Sequence, residues 1–311
     1  MYLSIIIPVK DEVSSLEILH AEIQKSLQKL NLDDYEILFI DDGSKDGSWE
    51  IIEKLSKINN KIKGYKFAKN FGKSIALDFS FRKAKGEFLI TMDADLQDDP
   101  DEIGNLLNEL KKSDCVIGWK KIRHDPLVKT IPSKIFNFTC RKIFNLNIHD
   151  MNCGLKGFKK KVYAKLVIYG ELHRFLPVIV NDNGFSVSEI IINHRKRMFG
   201  KSKFGAERIM RGFIDFLTIS FTRKFHQRPN HFFGAIGVFL ILVGGLTNLY
   251  LVFIWLFDFG AIGTRPLLFF SILMIIVGIQ ILSIGIIAEM LLKVNQEKKS
   301  FIEEIDHDET K

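Results

Sequence analysis

Two apolar runs near the carboxyl end limit this chain most. Phe232 to Phe257 is 26 residues without a formal charge, and Leu267 to Leu292 carries only Glu289. As a helix the first run extends roughly 39 Å, more than the roughly 30 Å of a bilayer core requires. A soluble core could hide two such helices, but a short Asp258–Pro266 connection between them makes a membrane hairpin the better expectation. The flanks give an orientation. Residues 201–228 hold seven Lys/Arg against Glu207 and Asp215, whereas the connection has only Arg265 among cations, and Lys293, Lys298 and Lys299 follow the second run. The positive-inside bias places both ends in the cytoplasm. The apolar stretch Leu3–Val9 stops at Lys10-Asp11-Glu12, so no signal peptide is expected there.

Upstream of the hairpin the rhythm is strand then helix. Leu3–Val9, Tyr35–Ile40, Ile62–Ala68, Glu87–Met92 and Cys115–Trp119 read as strands. Helical spacing runs through Leu16, Leu19, Ile23, Leu27 and Leu30, then Trp49, Ile52 and Leu55, then Lys73–Ala84 and Ile103–Leu110. Ser14 or Ser15 is placed to cap the first helix. Such alternation predicts an α/β fold with a mostly parallel sheet flanked by helices. Beyond Lys120 the pattern loosens: a helix is expected over Ile131–Leu146, a strand over Gly154–Phe158, a short helix from Lys161 and a strand over Phe185–Asn193. Phe204–Phe225 sets Ile209, Phe213, Phe216, Leu217 and Phe221 on one face, as an interfacial helix does. Residues 1–230 hold 39 Lys/Arg and 29 Asp/Glu. Beside a membrane span that excess fits anionic lipid and phosphorylated ligands better than nucleic acid. Cys115, Cys140 and Cys153 have no metal or redox spacing and read as reduced thiols.

Chemistry gathers at strand ends. Asp93-Ala94-Asp95-Leu96-Gln97 follows the apolar run Phe88–Met92, and Asp41-Asp42-Gly43-Ser44-Lys45-Asp46-Gly47 and Pro8-Val9-Lys10-Asp11-Glu12 end two other strands. Open α/β sheets bind ligands at that edge. Carboxylates with an amide oxygen suit Mg²⁺ or Mn²⁺, which complete their shells with phosphate. Asp98, Asp99, Pro100, Asp101 and Glu102 also look like an acidic helix start, and both readings can hold together. The eight histidines are isolated and read as structural.

These residues resemble family 2 glycosyltransferases of the polyprenyl-phosphate type. Ile6–Glu12 is similar to a V-P-x-x-N-E opening, with Asp11 where Asn is usual. Asp41–Gly47 is similar to D-D-G-S-x-D-G, Met92–Gln97 to D-A-D-L-Q, and Asn70-Phe71-Gly72-Lys73 to N-x-G-K. His173–Pro177 resembles H-R-[FY]-x-P, and Arg197–Phe204 resembles R-x-x-G-x-S-K-[YF]. The resemblance covers about residues 3–293 and extends to bactoprenol glucosyltransferases, dolichol-phosphate mannosyltransferases and undecaprenyl-phosphate aminoarabinose transferases. It implies a GT-A fold over 1–203, a juxtamembrane amphipathic helix over 204–230, two spans within 231–293 and a charged tail over 294–311. It also implies inverting, metal-dependent transfer of one sugar from a nucleotide diphosphate sugar to polyprenyl phosphate at the cytoplasmic membrane.

Position by position, Glu12 with Asp41 or Asp42 would hold base and ribose, next to Pro8 and Val9. Asp93 and Asp95, flanking Ala94, would bind Mg²⁺ or Mn²⁺, with Gln97 as a further ligand. Arg197 and Lys203 would clamp phosphate, and Arg123 and Arg174 would face the acceptor phosphate. Two alternatives stand beside this reading: a processive polysaccharide synthase of the same fold, whose usual Q-x-x-R-W motif this chain lacks, and a non-catalytic membrane-tethered nucleotide-sugar-binding protein. Gly234, Gly237, Gly244 and Gly245 permit close helix packing, which leaves a homo-oligomer open.

Overall fold

A computed structural model describes residues 1–122, 127–196, 198–199, 216, 218–221 and 229–306. The chain divides into two compact units, Met1–Leu217 and Thr218–Lys311.

The first unit is built on one seven-stranded sheet. Its strands are β1 (Leu3–Val9), β2 (Tyr35–Asp41), β3 (Ile62–Lys66), β4 (Phe88–Thr91), β5 (Cys115–Trp119), β6 (Lys156–Lys159) and β7 (Val187–Ile191), in the order β3-β2-β1-β4-β6-β5-β7. β3, β2, β1 and β4 run parallel, β6 is antiparallel to both β4 and β5, and β7 is parallel to β5. Strands covered by helices on both faces need apolar side chains in both directions. All seven residues of β2 and six of seven in β1 are accordingly buried. The crossovers are α1 (Leu16–Lys29), α2 (Ser48–Ile58), α3 (Lys73–Lys83) and α4 (Ile103–Leu110). α5 (Leu127–Phe144), α6 (Lys160–Tyr163) and α7 (Leu176–Asp182) complete the unit. Ser15 stands at the start of α1, but its hydroxyl donates to the Glu12 carbonyl at 2.9 Å instead of capping the helix. Asp99 does cap: its carboxylate accepts from Asp101 N at 3.1 Å, and Pro100 opens the 3₁₀ turn Pro100–Glu102 that leads into α4.

The sheet's register aligns the strand ends that carry chemistry. Val9 is level with Asp41, and Ile6 with Thr91. Asp42 N donates to Val9 O at 2.9 Å and Met92 N to Ile6 O at 3.0 Å. The loops beginning at residues 10, 42 and 92 therefore leave from one edge.

The second unit contains two long helices, Pro229–Leu256 and Pro266–Asp306. Their apolar parts, Pro229–Leu256 and Pro266–Leu292, have mean hydropathies of 2.2 and 2.7 and are long enough to cross a bilayer. Phe239, Leu246, Trp255, Phe269 and Met290 are each more than 60% exposed. An apolar surface of that extent calls for lipid. A Cβ at Gly237 would lie 2.7 Å from Gly278 O, and one at Gly244 would lie 2.7 Å from Ser271 O. Those two glycines are thus used between the helices of one hairpin, while Gly245 faces open space and Gly234 meets only Asn230. Most of the expected interfacial helix at 204–230 lies outside the described residues; Phe216 and 218–221 are helical.

Candidate active site

The loop after β1 and the loop after β2 brace each other. Asp11 adopts a φ of 51°, a left-handed conformation that Asn and Asp tolerate better than most residues. Its Oδ1 accepts from Lys45 N at 2.8 Å and its N donates to Ser44 Oγ at 2.9 Å. Glu12 N donates to Ser48 Oγ at 2.9 Å, so Glu12 is carried on a fixed backbone. Pro8 and Val9 lie directly upstream at the end of β1.

Asp41 and Asp42 are both buried and face different partners. Asp42 accepts from Phe71 N at 2.6 Å and Gly72 N at 2.9 Å, which ties the loop before α3 to the end of β2. Burial raises its carboxyl above the usual range despite these donors. Asp41 Oδ1 accepts from Ser44 N at 2.9 Å, whereas its buried Oδ2 has no hydrogen-bond partner among the described residues.

The Asp93–Gln97 loop turns on Leu96, whose φ is 61°. Asp95 Oδ1 accepts from Gln97 N at 3.2 Å. Asp93 is about a third exposed and pairs with the ammonium of Lys73, the first residue of α3. A Cβ at residue 154 would come within 2.6 Å of the Asp93 carboxyl carbon, so a larger residue there would have to push the Asp93 carboxylate aside. Ala94 is buried. Burial pushes the Asp93 carboxyl up, but Lys73, Lys120 and Lys156 outweigh it and hold the group well below the usual carboxylate range. Lys120 pairs with the fully buried Asp98 at 2.7 Å, and this partner raises its pKa despite burial. Lys156, on β6, is 4% exposed and donates to Cys153 O, and burial lowers its pKa.

Among the described residues no three His, Cys, Asp or Glu side chains come within reach of one metal ion. The donor set nevertheless fits a hard cation that takes few protein ligands: two carboxylates two residues apart, an amide oxygen at Gln97, and an ammonium against Asp93 that shows the place accepts positive charge.

Arg174 lies in a 3₁₀ turn, Leu172–Phe175, and its guanidinium donates to Glu171 at 2.6 Å. His173 Nδ1 is 2.8 Å from Ser74 Oγ, which anchors this turn to the start of α3 beside Lys73. Arg123, Arg197 and Lys203 lie outside the described residues. Motif reading left Lys73 without a role, noted Lys120 only as standing near where relatives often have Arg, and passed over Lys156. Lys120 and Lys156 come from β5's end and β6, and only the sheet order brings them to Asp93.

A mixed, mostly parallel sheet with acidic loops gathered at one edge is the GT-A pattern, and the comparisons with known proteins agree. The family model described as Glycosyl transferase family 2 matches residues 4–167. The chain belongs to that family, on the branch of the polyprenyl-phosphate transferases, and it is a glycosyltransferase. It is 31% identical over 295 residues to the dodecaprenyl-phosphate galacturonate synthase of Rhizobium johnstonii, covering 93% of this chain and 87% of that one. It is 29% identical over 293 residues to the undecaprenyl-phosphate 4-deoxy-4-formamido-L-arabinose transferase of Aeromonas hydrophila, with 93% and 87% covered. Among solved structures, glucosyl-3-phosphoglycerate synthase of Mycobacterium tuberculosis, in complex with Mn²⁺, UDP and phosphoglyceric acid, superposes with a TM-score of 0.51. That match is at 14% identity and covers 64% of this chain and 72% of the other.

Proposed function

We propose that this protein transfers a single sugar from a nucleotide diphosphate sugar to a polyprenyl phosphate, with inversion, at the cytoplasmic face of a membrane. The observation that carries the reading is the Asp93–Gln97 loop at the sheet edge, where Lys73 pairs with Asp93 and Lys120 and Lys156 act on it through charge. The printed functions of the two relatives and the apolar hairpin support a lipid-borne acceptor. A prenyl chain leaves a bilayer at a cost of about 0.8 kcal/mol per methylene, so the sugar must be brought to the headgroup.

Asp93, Asp95 and Gln97 would hold Mg²⁺ or Mn²⁺. That ion supplies charge neutralisation to the departing diphosphate. The lysines near Asp93 would add positive potential from the protein side, held in place and needing little reorganisation. Asp41 Oδ2, buried and without a hydrogen-bond partner among the described residues, would accept an N–H or O–H of the nucleoside once the site opens to it, and Glu12 on the neighbouring loop would assist. An acceptor phosphate is already anionic at neutral pH, so no strong general base is required. Arg174, and Arg123, Arg197 and Lys203 from the segments not described, would offset repulsion between the two anionic reactants.

Membranes holding the protein, polyprenyl phosphate and a panel of labelled uridine, guanosine and cytidine diphosphate sugars with Mg²⁺ or Mn²⁺ test this. One donor should yield a glycolipid carrying a single sugar, and Asp95→Ala should lower the rate by at least about 100-fold. A ladder of products would point to a processive synthase instead. Donor binding without consumption would point to a tethered binding protein, and full activity in Asp95→Ala would sink the site.

A further inference from the structure

Residues 193–195 are fastened to the acidic stretch 97–102. Asn193 N donates to Glu102 Oε1 at 3.0 Å, and its side-chain amide donates to Asp99 Oδ2 at 3.1 Å. His194 forms an isolated antiparallel bridge with Asp98 and is 4% exposed. Arg195 N donates to Gln97 O at 3.0 Å. The Arg195 guanidinium spans two elements, donating to Asp99 Oδ1 and to Glu22 of α1 at 2.6 Å each. Two residues further along comes Arg197.

His194 also touches the one neutral member of the donor set. Its Nε2 lies 3.3 Å from Gln97 Nε2. A Gln amide has a donor end and an acceptor end, and a neutral imidazole has one nitrogen of each kind. When the Gln97 amide nitrogen is the end turned to His194, as their 3.3 Å approach has it, the amide oxygen is the end left to face a cation. A buried imidazole that cannot rotate freely fixes that choice in advance, as outer partners do at metal sites.

We propose that His194 is a positioning residue that selects the amide orientation of Gln97, while Arg195 pins the strap leading to Arg197 against the same loop. The metal loop and the strap are then one unit. This inference rests on the metal-binding reading of Asp93, Asp95 and Gln97. It adds a function for a residue that its isolated place in the sequence made look structural.

The test uses full-length protein in lipid nanodiscs and reads bound Mn²⁺ by electron paramagnetic resonance, with UDP, GDP and CDP added in turn. His194→Ala should weaken Mn²⁺ about tenfold with the nucleotide that the wild type takes. Nucleotide affinity at saturating Mn²⁺ should stay within about twofold. His194→Gln, whose carbonyl can still accept from Gln97, should recover most of the loss, and it also guards against a misfolded alanine variant. Unchanged Mn²⁺ affinity in His194→Ala overturns the inference and leaves the metal reading standing. Equal loss of Mn²⁺ and nucleotide in both variants overturns it too, as a general structural defect. Wild-type protein that takes Mn²⁺ with none of the three nucleotides removes the metal reading and this inference together.

Discussion

Glu36 is the carboxylate on which the centre of the sheet depends. It is fully buried on β2 and accepts from Ser4 Oγ at 2.8 Å, Lys85 N at 2.8 Å and Lys63 Nζ at 2.7 Å. Burial pushes its pKa up, but these donors win and hold it below 4.5. Asp114 is likewise held down, to about 2, by Lys161, Lys159 and the Ser186 amide against its own desolvation. A carboxyl depressed on folding stabilises the native state fully above its unfolded pKa, and this is lost as pH falls through the folded value. The window here runs from about 4.5 down to about 2. Asp42 works in the opposite sense, because burial raises it and protonation relieves that cost. Asp46, Asp93 and Asp101 are lowered as well, so five carboxyls against one leave a net loss in acid. Thermal melts should therefore ease down below about 6.5, where the unfolded chain protonates His20 and burial holds the folded imidazole neutral, and fall steeply below about 5. Glu36→Gln should soften the upper part of that fall. Glu36→Ala should cost about 3 kcal/mol, since it strands a buried hydroxyl, an amide and an ammonium.

The elements differ in how far their own residues determine them. β1 and β2 are unbroken apolar runs because helices cover both faces, and their limits are close to those the runs themselves mark. β6 is only four residues with a lysine at each end. Its ladder partners on β4 and β5 hold it, and the expected Gly154–Phe158 start is two residues early. α7 gave no usable period, being seven residues long and opening on Leu176-Pro177. The second long helix continues to Asp306, past the apolar run's end at Leu292, because loss of hydrophobicity ends a membrane span without ending a helix. The site divides the same way. Asp93, Asp95 and Gln97 could be proposed from the sequence because one loop carries all three, whereas His194 meets Gln97 across 97 positions and no local pattern announces that pairing. Hairpin packing offers an element-scale test. Gly237 and Gly244 admit the second helix to backbone contact, so Gly237→Val forces a methyl-bearing carbon into a carbonyl. Overpacking of that kind costs about 1–3 kcal/mol. The detergent-solubilised variant should aggregate at a lower temperature, while Gly245→Ala, which faces open space, should match the wild type.

At the scale of the whole chain, the reaction proposed above has a sidedness that charge alone predicts. Nucleotide sugars are cytoplasmic, so on the proposed reaction the unit bearing Asp93 and Asp95 would be on that side. A hairpin returns the chain to the side it left, and both flanks carry the cations: Arg223, Lys224 and Arg228 before it, Lys293, Lys298 and Lys299 after it. The eight residues 258–265 between the spans carry one Asp and one Arg. In bacterial membranes such an asymmetry sets orientation because Lys and Arg near span ends resist translocation. A fluorescent protein that matures only in the cytoplasm should therefore glow when fused after Lys311. Alkaline phosphatase, active only outside it, should be active when inserted near Gly263 and inactive after Lys311. Replacing Lys293, Lys298 and Lys299 with Gln should leave the hairpin in place, since the larger cluster before Pro229 dominates. Adding lysines to the connection should compete with it and lower the phosphatase signal. Active phosphatase after Lys311 in the unmodified chain would mean an odd number of crossings, and an acceptor phosphate delivered by some route other than a hairpin anchored from the cytoplasmic side.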